Sequence, residues 1–287
     1  MNKLLRRLAR CSLLRSAALG GSSVTVPEGY LPFYVGEEME RFVVSADLLN
    51  HPLFINLLNK SAQEYGYQQK GVLRIACHVI LFRRLLQALQ EGEEASSCEH
   101  DLRRLLIWKH VIQKGDAVVD ATCGNGHDTL ALVNMVADEL CSGHVYSMDI
   151  QESALQNTAC LLDKSLDPHK RGMVELFANC HSKMEEVVPN GVTVRLVAFN
   201  LGYLPGGDKT VITKSETTLL GMKAASRILA SGGLISMLVY VGHPGGMEEY
   251  EMVEGFASGL QVNEWICCKL QMMNRPLAPI LVLLCKR

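Results

Sequence analysis

The stretch Ala117-Val118-Val119-Asp120-Ala121-Thr122-Cys123-Gly124-Asn125-Gly126-His127-Asp128-Thr129 decides how this chain is read. Small apolar residues closed by an acid mark a short buried strand. The residues from Asp128 onward carry the apolar spacing of a helix. Between the two, a pair of glycines one residue apart permits a tight turn and lets the backbone approach a ligand closely. A nucleotide-type cofactor at the carboxyl ends of parallel strands is expected at such a turn. The next strand, over 144–149, ends in a second acid, Asp149, placed to accept hydrogen bonds from both hydroxyls of a ribose.

The same residues discriminate between cofactors. A dinucleotide fingerprint needs a third glycine where Thr129 stands. The pattern D-x-x-x-G-x-G, from Asp120 to Gly126, better suits S-adenosylmethionine. That ligand has no pyrophosphate to seat at a helix N-terminus. Its amino-acid tail and sulfonium tolerate acids such as Asp120 and Asp128. An NAD-dependent oxidoreductase and a purely structural glycine turn are the alternatives left open.

Outward from the turn, strands and helices alternate. Helices are expected over 102–112, 128–136, 153–166, 216–229 and 247–260. Strands are expected over 117–120, 144–149, 174–177, 194–199, 234–240, 264–270 and 279–285. This alternation argues an α/β fold, a mostly parallel sheet with helices on both faces. The last two strands have no helix between them and are expected to pair antiparallel. Seven strands ending this way match the Rossmann-like fold of S-adenosylmethionine-dependent methyltransferases, here preceded by a small α+β domain.

Three loops follow carboxyl ends of strands. Asn179 and His181 lie where the adenine of the cofactor is expected. Asn200-Leu201-Gly202-Tyr203 is a relaxed form of the [D/N]-P-P-[Y/F] pattern of amine-directed methyltransferases. There the Asn200 side chain would accept from a substrate amine and the Tyr203 ring would pack on the substrate base. His243, in a loop with Gly242, Gly245 and Gly246, could take a proton from a substrate ammonium of ordinary pKa ~10. A hydrogen bond within its own loop is the plainer reading. Thr213 and Glu216 read as a capping box that starts a helix, which leaves Thr217 and Thr218 able to face the site.

Composition sets the outer limits. The chain has 287 residues, 48% hydrophobic and 20% charged, enough for a sizeable core. A net charge of −2 gives no global basic field, so nucleic-acid binding needs a local patch. Lys209, Lys214 and Arg275 are the candidates. The ten cysteines form no C-x-x-C pair and no metal-ligand spacing, so reduced thiols and no metal are expected. No apolar run approaches the ~20 residues of a membrane helix. The leader, residues 1–23, holds Lys3, Arg6, Arg7, Arg10 and Arg15, with no acid before Glu28. It fits a chloroplast or mitochondrial transit peptide, or a basic arm on a cytoplasmic or nuclear protein. Residues 24–90 form a compact first unit, 91–100 a polar linker and 101–287 the second unit.

In the first unit, short strands flank a turn over 36–38. His51-Pro52 opens a helix, a further strand covers 73–77 and a second helix 79–89. The segments V-P-E-G-Y (26–30), Y-V-G-E-E-M-E-R-F-V-V (34–44), L-N-H-P-L-F (49–54), E-Y-G-Y (64–67) and L-R-I-A-C (73–77) resemble the plant small auxin-up RNA family. That resemblance implies regulatory binding of a protein partner, phosphatases included.

In the second unit, D-A-T-C-G-N-G-H-D-T (120–129), M-D-I-Q (148–151), F-N-L-G-Y-L-P-G-G-D-K (199–209), T-K-S-E-T-T (213–218) and Y-V-G-H-P-G-G-M-E-E (240–249) stand in order. They resemble the family labelled ribosomal RNA methylase. Its characterised members methylate the aminomethyl group of 5-aminomethyl-2-thiouridine at tRNA wobble position 34. The resemblance implies a cofactor site lined by Asp120, Gly124, Asn125, Gly126, Asp149 and Gln151, and Thr122, Asp128, Thr129, Asn179 and His181 are further candidates for the same site. Asn200, Tyr203 and His243 would lie near the acceptor amine, with tRNA as the partner. A homodimer is a further expectation, since the fold often dimerises. Methylation of another RNA or of a small-molecule amine stays open, as does a regulatory binding protein carrying a fused methyltransferase domain. The union of the two units is either a two-domain protein or a join of neighbouring genes.

Overall fold

The computed structural model describes residues 26–27, 29–36, 39–66, 72–77, 79, 82–83, 85–86, 89 and 95–287. The basic leader, residues 37–38 of the expected turn, residues 91–94 and residues 80, 81, 84, 87 and 88 of the helix expected over 79–89 lie outside the described residues. The chain divides into two compact units, 1–98 and 99–287.

In the first unit, strands β1 (Tyr30–Val35) and β2 (Glu40–Ser45) pair antiparallel, and β3 (Leu73–Ile75) joins the other side of β1 in parallel. Alternation along β1 turns Leu31, Phe33 and Val35 inward. Helix α1 (Pro52–Tyr65) covers that face. Phe54 meets Phe33 and Phe82 edge-on at centroid distances of 5.7 and 6.0 Å.

Helix α2 (Ala95–Val111) leads into the second unit and starts seven residues ahead of the expected helix, inside the stretch read as a linker. From Ala95 to Val111 there is no glycine or proline. Nothing therefore stops the helix, once Leu105 and Trp108 are buried, from propagating toward its N-terminus. Then follow β4 (Ala117–Asp120), α3 (His127–Val136), β5 (His144–Asp149), α4 (Glu152–Ser165) and β6 (Val174–Ala178). After them come β7 (Val194–Leu201), α7 (Ser215–Ile228), β8 (Leu229–Val239), α8 (Gly246–Ser258), β9 (Trp265–Leu270) and β10 (Ile280–Lys286). Two single-turn helices, α5 (Pro168–Arg171) and α6 (Met184–Val187), sit in the connections flanking β6.

The sheet order is β6-β5-β4-β7-β8-β10-β9. All neighbours as far as β8 run parallel, and β10 pairs antiparallel with both β8 and β9. The last two strands pair as expected, with β10 inserted between β8 and β9, so that β9 is the edge. Central strands are largely apolar: Val118, Val119, Leu196, Val197, Ile235 and Leu238 are all fully buried, as a sheet covered on both faces requires. The chain leaves β4 toward β5 and β6, then crosses back to β7 on the other side. This reversal opens a crevice at the carboxyl end of β4, where such sheets bind ligands. Among the described residues no helix is long and apolar enough to cross a membrane.

Candidate active site

Parallel register aligns Asp120 with Ser147 of β5 and Ala198 of β7. Asp120, Asp149 and Asn200 therefore reach the same edge of the sheet. The turn after Asp120 uses left-handed backbone at both glycines, φ +51° at Gly124 and +87° at Gly126. A Cβ on Gly126 would stand 2.8 Å from Thr158 Cα in α4, so only glycine lets the turn pack on that helix. The Thr158 hydroxyl donates to the Gly124 carbonyl at 2.9 Å. Asn125 extends the other way: its Nδ2 donates to the Pro205 carbonyl at 3.2 Å, and Asn157 Nδ2 donates to its Oδ1 at 3.0 Å.

Asp149 ends β5 facing the turn. It accepts the Gly124 N–H at 3.1 Å and the Gln151 N–H at 2.9 Å. Burial raises its pKa above the usual carboxylate range. Asp120 is fully buried and accepts the Thr129 hydroxyl at 2.7 Å and the Thr122 N–H at 3.4 Å. Burial, then the charge of Asp128, pushes its pKa up to about 7. Thr129 is itself fully buried, with its hydroxyl also 3.0 Å from that of Ser147, so it acts on the site through Asp120. Thr122 Oγ1 accepts the Asn200 N–H at 2.7 Å and ties the glycine turn to the end of β7.

Asp128 is engaged by a residue that sequence reasoning missed. Arg104, on α2, contacts its two carboxylate oxygens at 2.9 and 2.7 Å. Asn200 Nδ2 donates to Asp128 at 2.6 Å, and Arg104 Nη1 donates to Asn200 Oδ1 at 2.6 Å. The signal was present in the helix: Arg104 shares the buried stripe of Leu105, Trp108 and Ile112, and a cation on an apolar stripe calls for a partner.

His181 packs beneath α7. Its ring meets Phe199 edge-on at 5.7 Å, and a Cβ on Gly221 would lie 2.9 Å from its Cδ2. Burial pushes its pKa down to about 4, so the ring is neutral. Asn179, three residues beyond Leu176, is half-buried in the loop after β6. Thr213 does not cap α7 as expected: the capping position falls on Lys214, which makes no side-chain cap bond. The Thr213 hydroxyl instead donates to Glu249 at 2.7 Å, and Thr218 donates to the same buried carboxylate at 2.6 Å. The Thr213 hydroxyl is thereby engaged with a buried carboxylate on α8 in place of a backbone N–H of the first helical turn.

Tyr203 and His243 face each other edge-on, with ring centroids 6.0 Å apart, and Lys209 Nζ lies 5.6 Å over the Tyr203 ring. His243 Nδ1 contacts the Pro244 carbonyl at 2.9 Å, and a carbonyl only accepts. The Nδ1 therefore carries a proton. The Nε2 is buried with no hydrogen-bond partner among the described residues. Lys209, Lys214 and Arg275 are all exposed. Among the described residues no cluster of His, Cys, Asp and Glu could hold a metal ion.

The doubled glycine turn at the sheet's reversal, with the Asp149 carboxylate beside it, fits a ribose-bearing cofactor. Fold and turn together define a Rossmann-like S-adenosylmethionine-dependent methyltransferase. The chain belongs to the family described as "Putative rRNA methylase", whose model matches residues 145–286, and its residues 1–94 match the auxin responsive protein family.

Each match has individual relatives. The chloroplastic tRNA (mnm(5)s(2)U34)-methyltransferase of Arabidopsis thaliana is 60% identical over 184 residues, 63% of this chain and 67% of that protein. Auxin-responsive protein SAUR72 of Arabidopsis thaliana is 53% identical over 116 residues, 32% of this chain and 88% of that protein. An rRNA-methylase structure from Clostridium thermocellum superposes with a TM-score of 0.60 at 35% identity, covering 64% of this chain and 96% of that one. A Streptococcus mutans methyltransferase in complex with SAH gives 0.56 at 30% identity, covering 64% and 95%.

Proposed function

We propose that this chain transfers a methyl group to the aminomethyl nitrogen of 5-aminomethyl-2-thiouridine at tRNA wobble position 34. The observation that carries the reading is the placement of Asn200 at the carboxyl end of β7, bonded through its N–H to the glycine turn. An acceptor amine held there lies beside the cofactor crevice. The 60% identity to a tRNA methyltransferase supports the same acceptor.

Bound S-adenosylmethionine supplies the electrophilic methyl group on sulfur. Gly124 and Gly126 let the backbone close on it, and Asp149 accepts from its ribose. Asn200 Oδ1 accepts an N–H of the acceptor amine and aims the nitrogen lone pair. Tyr203, with Lys209 over its ring, offers a platform for the base. His243 Nε2 is the lone pair placed to take the proton that the amine gives up. Methyl transfer depends chiefly on in-line positioning, so the Asn200 contact to the amine matters more than a strong base.

Catalysis belongs to residues 101–287, and residues 24–90 bind a protein partner. The basic leader over 1–23, together with the chloroplastic relative, supports import into the chloroplast. Exposed Lys209, Lys214 and Arg275 grip the tRNA, and the enzyme acts as a homodimer. Methyl transfer from labelled S-adenosylmethionine to tRNA carrying 5-aminomethyl-2-thiouridine tests the reading with the full chain, using Asn200→Ala as control. Transfer that disappears in the variant supports it. Cofactor binding without transfer to this tRNA overturns it in favour of another RNA or a small-molecule amine.

A further inference from the structure

We infer that Arg104 is a positioning residue of the acceptor site: held by Asp128, its guanidinium fixes the Asn200 carboxamide in a single orientation. The inference rests on the reading above, in which Asn200 receives the acceptor amine.

Arg104 comes from α2, a helix outside the strand–turn–helix units that carry the motifs. Its side chain is 2% exposed and that of Asp128 9%. The guanidinium carbon lies 4.8 Å from the Trp108 ring centroid, so the cation rests against an aromatic face one turn along its own helix. The donor edge then spans Asp128 at 2.7 Å and Asn200 Oδ1 at 2.6 Å. A planar fork can make both contacts at once, and an ammonium cannot match that geometry.

The donor and acceptor inventory dictates the rest. A guanidinium only donates and a carboxylate only accepts. The Asn200 carbonyl must therefore face Arg104, and its NH2 must face Asp128, as the distances show. A flipped amide would set donor against donor and acceptor against acceptor. The amide oxygen has two lone pairs, so one remains for the acceptor amine. Without Arg104 the flip is open, and a flipped Asn200 turns an NH2 toward an amine that needs an acceptor. The loss falls on turnover rather than on binding of cofactor or tRNA.

Arg104→Lys keeps a cation beside Asp128 and removes the fork. Arg104→Met with Asp128→Asn removes the pair together, so that no buried charge is left alone. Both are made in the full chain, with thermal unfolding as the check on folding. The expected result for Arg104→Lys is a kcat lower by about 100-fold, with KM for tRNA and affinity for S-adenosylmethionine unchanged. The Asn200 side-chain NH2, assigned in 15N-labelled protein by its loss in Asn200→Asp, should exchange slowly in the wild type. It should exchange faster in both variants. An unchanged kcat, or a kcat that falls only with the folded fraction, overturns the inference. So does an Asn200 NH2 whose exchange is the same in wild type and Arg104→Lys. Failure of the wild type to methylate the modified tRNA would sink the acceptor reading alone, because the amide measurement needs no acceptor.

Discussion

The carboxylate of Asp149 accepts the backbone N–H of Gly124 at 3.1 Å, which joins the end of the second strand of the methyltransferase unit to the turn after the first. The bond connects residues from separate strand–helix units. It also places two features that suit a ribose-bearing cofactor, a glycine turn and a carboxylate, side by side.

Asp149→Asn keeps shape but gives up the charge. Hydrogen bonds to a charged group contribute about 1.5–3 kcal/mol, so affinity for S-adenosylmethionine should fall roughly 10- to 100-fold. Titration calorimetry on the folded variant measures this directly. Affinity equal to that of the wild type would remove Asp149 from the site.

Gly126→Ala meets two obstacles: a φ of +87° and a Cβ 2.8 Å from Thr158 Cα. The obstructing atom is backbone, so no rotamer change relieves it. Left-handed strain alone costs of order 1–3 kcal/mol. Chemical denaturation should show a loss of at least that size, with cofactor binding weakened further. Gly255, whose added Cβ meets nothing within 4 Å, is the comparison in the same fold.

Asp120 makes stability depend on pH. Its folded pKa is about 7 against an ordinary 3.8, because burial and Asp128 disfavour the charged form. Between those values the folded state holds a proton that the unfolded state has released. Stability should therefore fall as pH rises from about 4 to 7, the reverse of a salt-bridged carboxylate. Asp120→Asn has no proton to lose and still accepts from Thr129. Its unfolding free energy should be flatter over that range. A wild-type profile that rises from pH 4 to 7 by the same amount as the variant would contradict this.

Glu249 accepts from both Thr213 and Thr218. Glu249→Ala leaves two hydroxyls without their acceptor in a buried site, at about 2–4 kcal/mol. Glu216→Ala, at an exposed position outside that pair, should change stability by no more than about 0.5 kcal/mol. Thermal unfolding of the two variants separates a buried network from a capping box. The opposite ranking would restore Thr213 to the cap.

Much of this was legible from local pattern. The strand closed by Asp120, the glycines that follow and Asp149 at the next strand end are read from neighbouring residues, because turn geometry and strand period are local properties. The seven strands, their alternation with helices and the antiparallel close follow from the same periodicity. The start of α2 was misplaced because polar, small residues read as a linker, whereas burial of Leu105 and Trp108 carries the helix back to Ala95.

The sequence by itself determined the turn, the two acids and the class of sheet. The tertiary structure alone decided which side chains they meet. Arg104, Asp128 and Asn200 are up to 96 residues apart, and only the strand order that sets β7 beside β4 brings them together. Thr213 serves Glu249, 36 residues on, in place of a cap, because a buried carboxylate left without its donor is costly. The insertion of β10 between β8 and β9 is a matter of strand order too. Periodicity reports which face of an element is buried; which partner waits on that face is settled only when the elements pack.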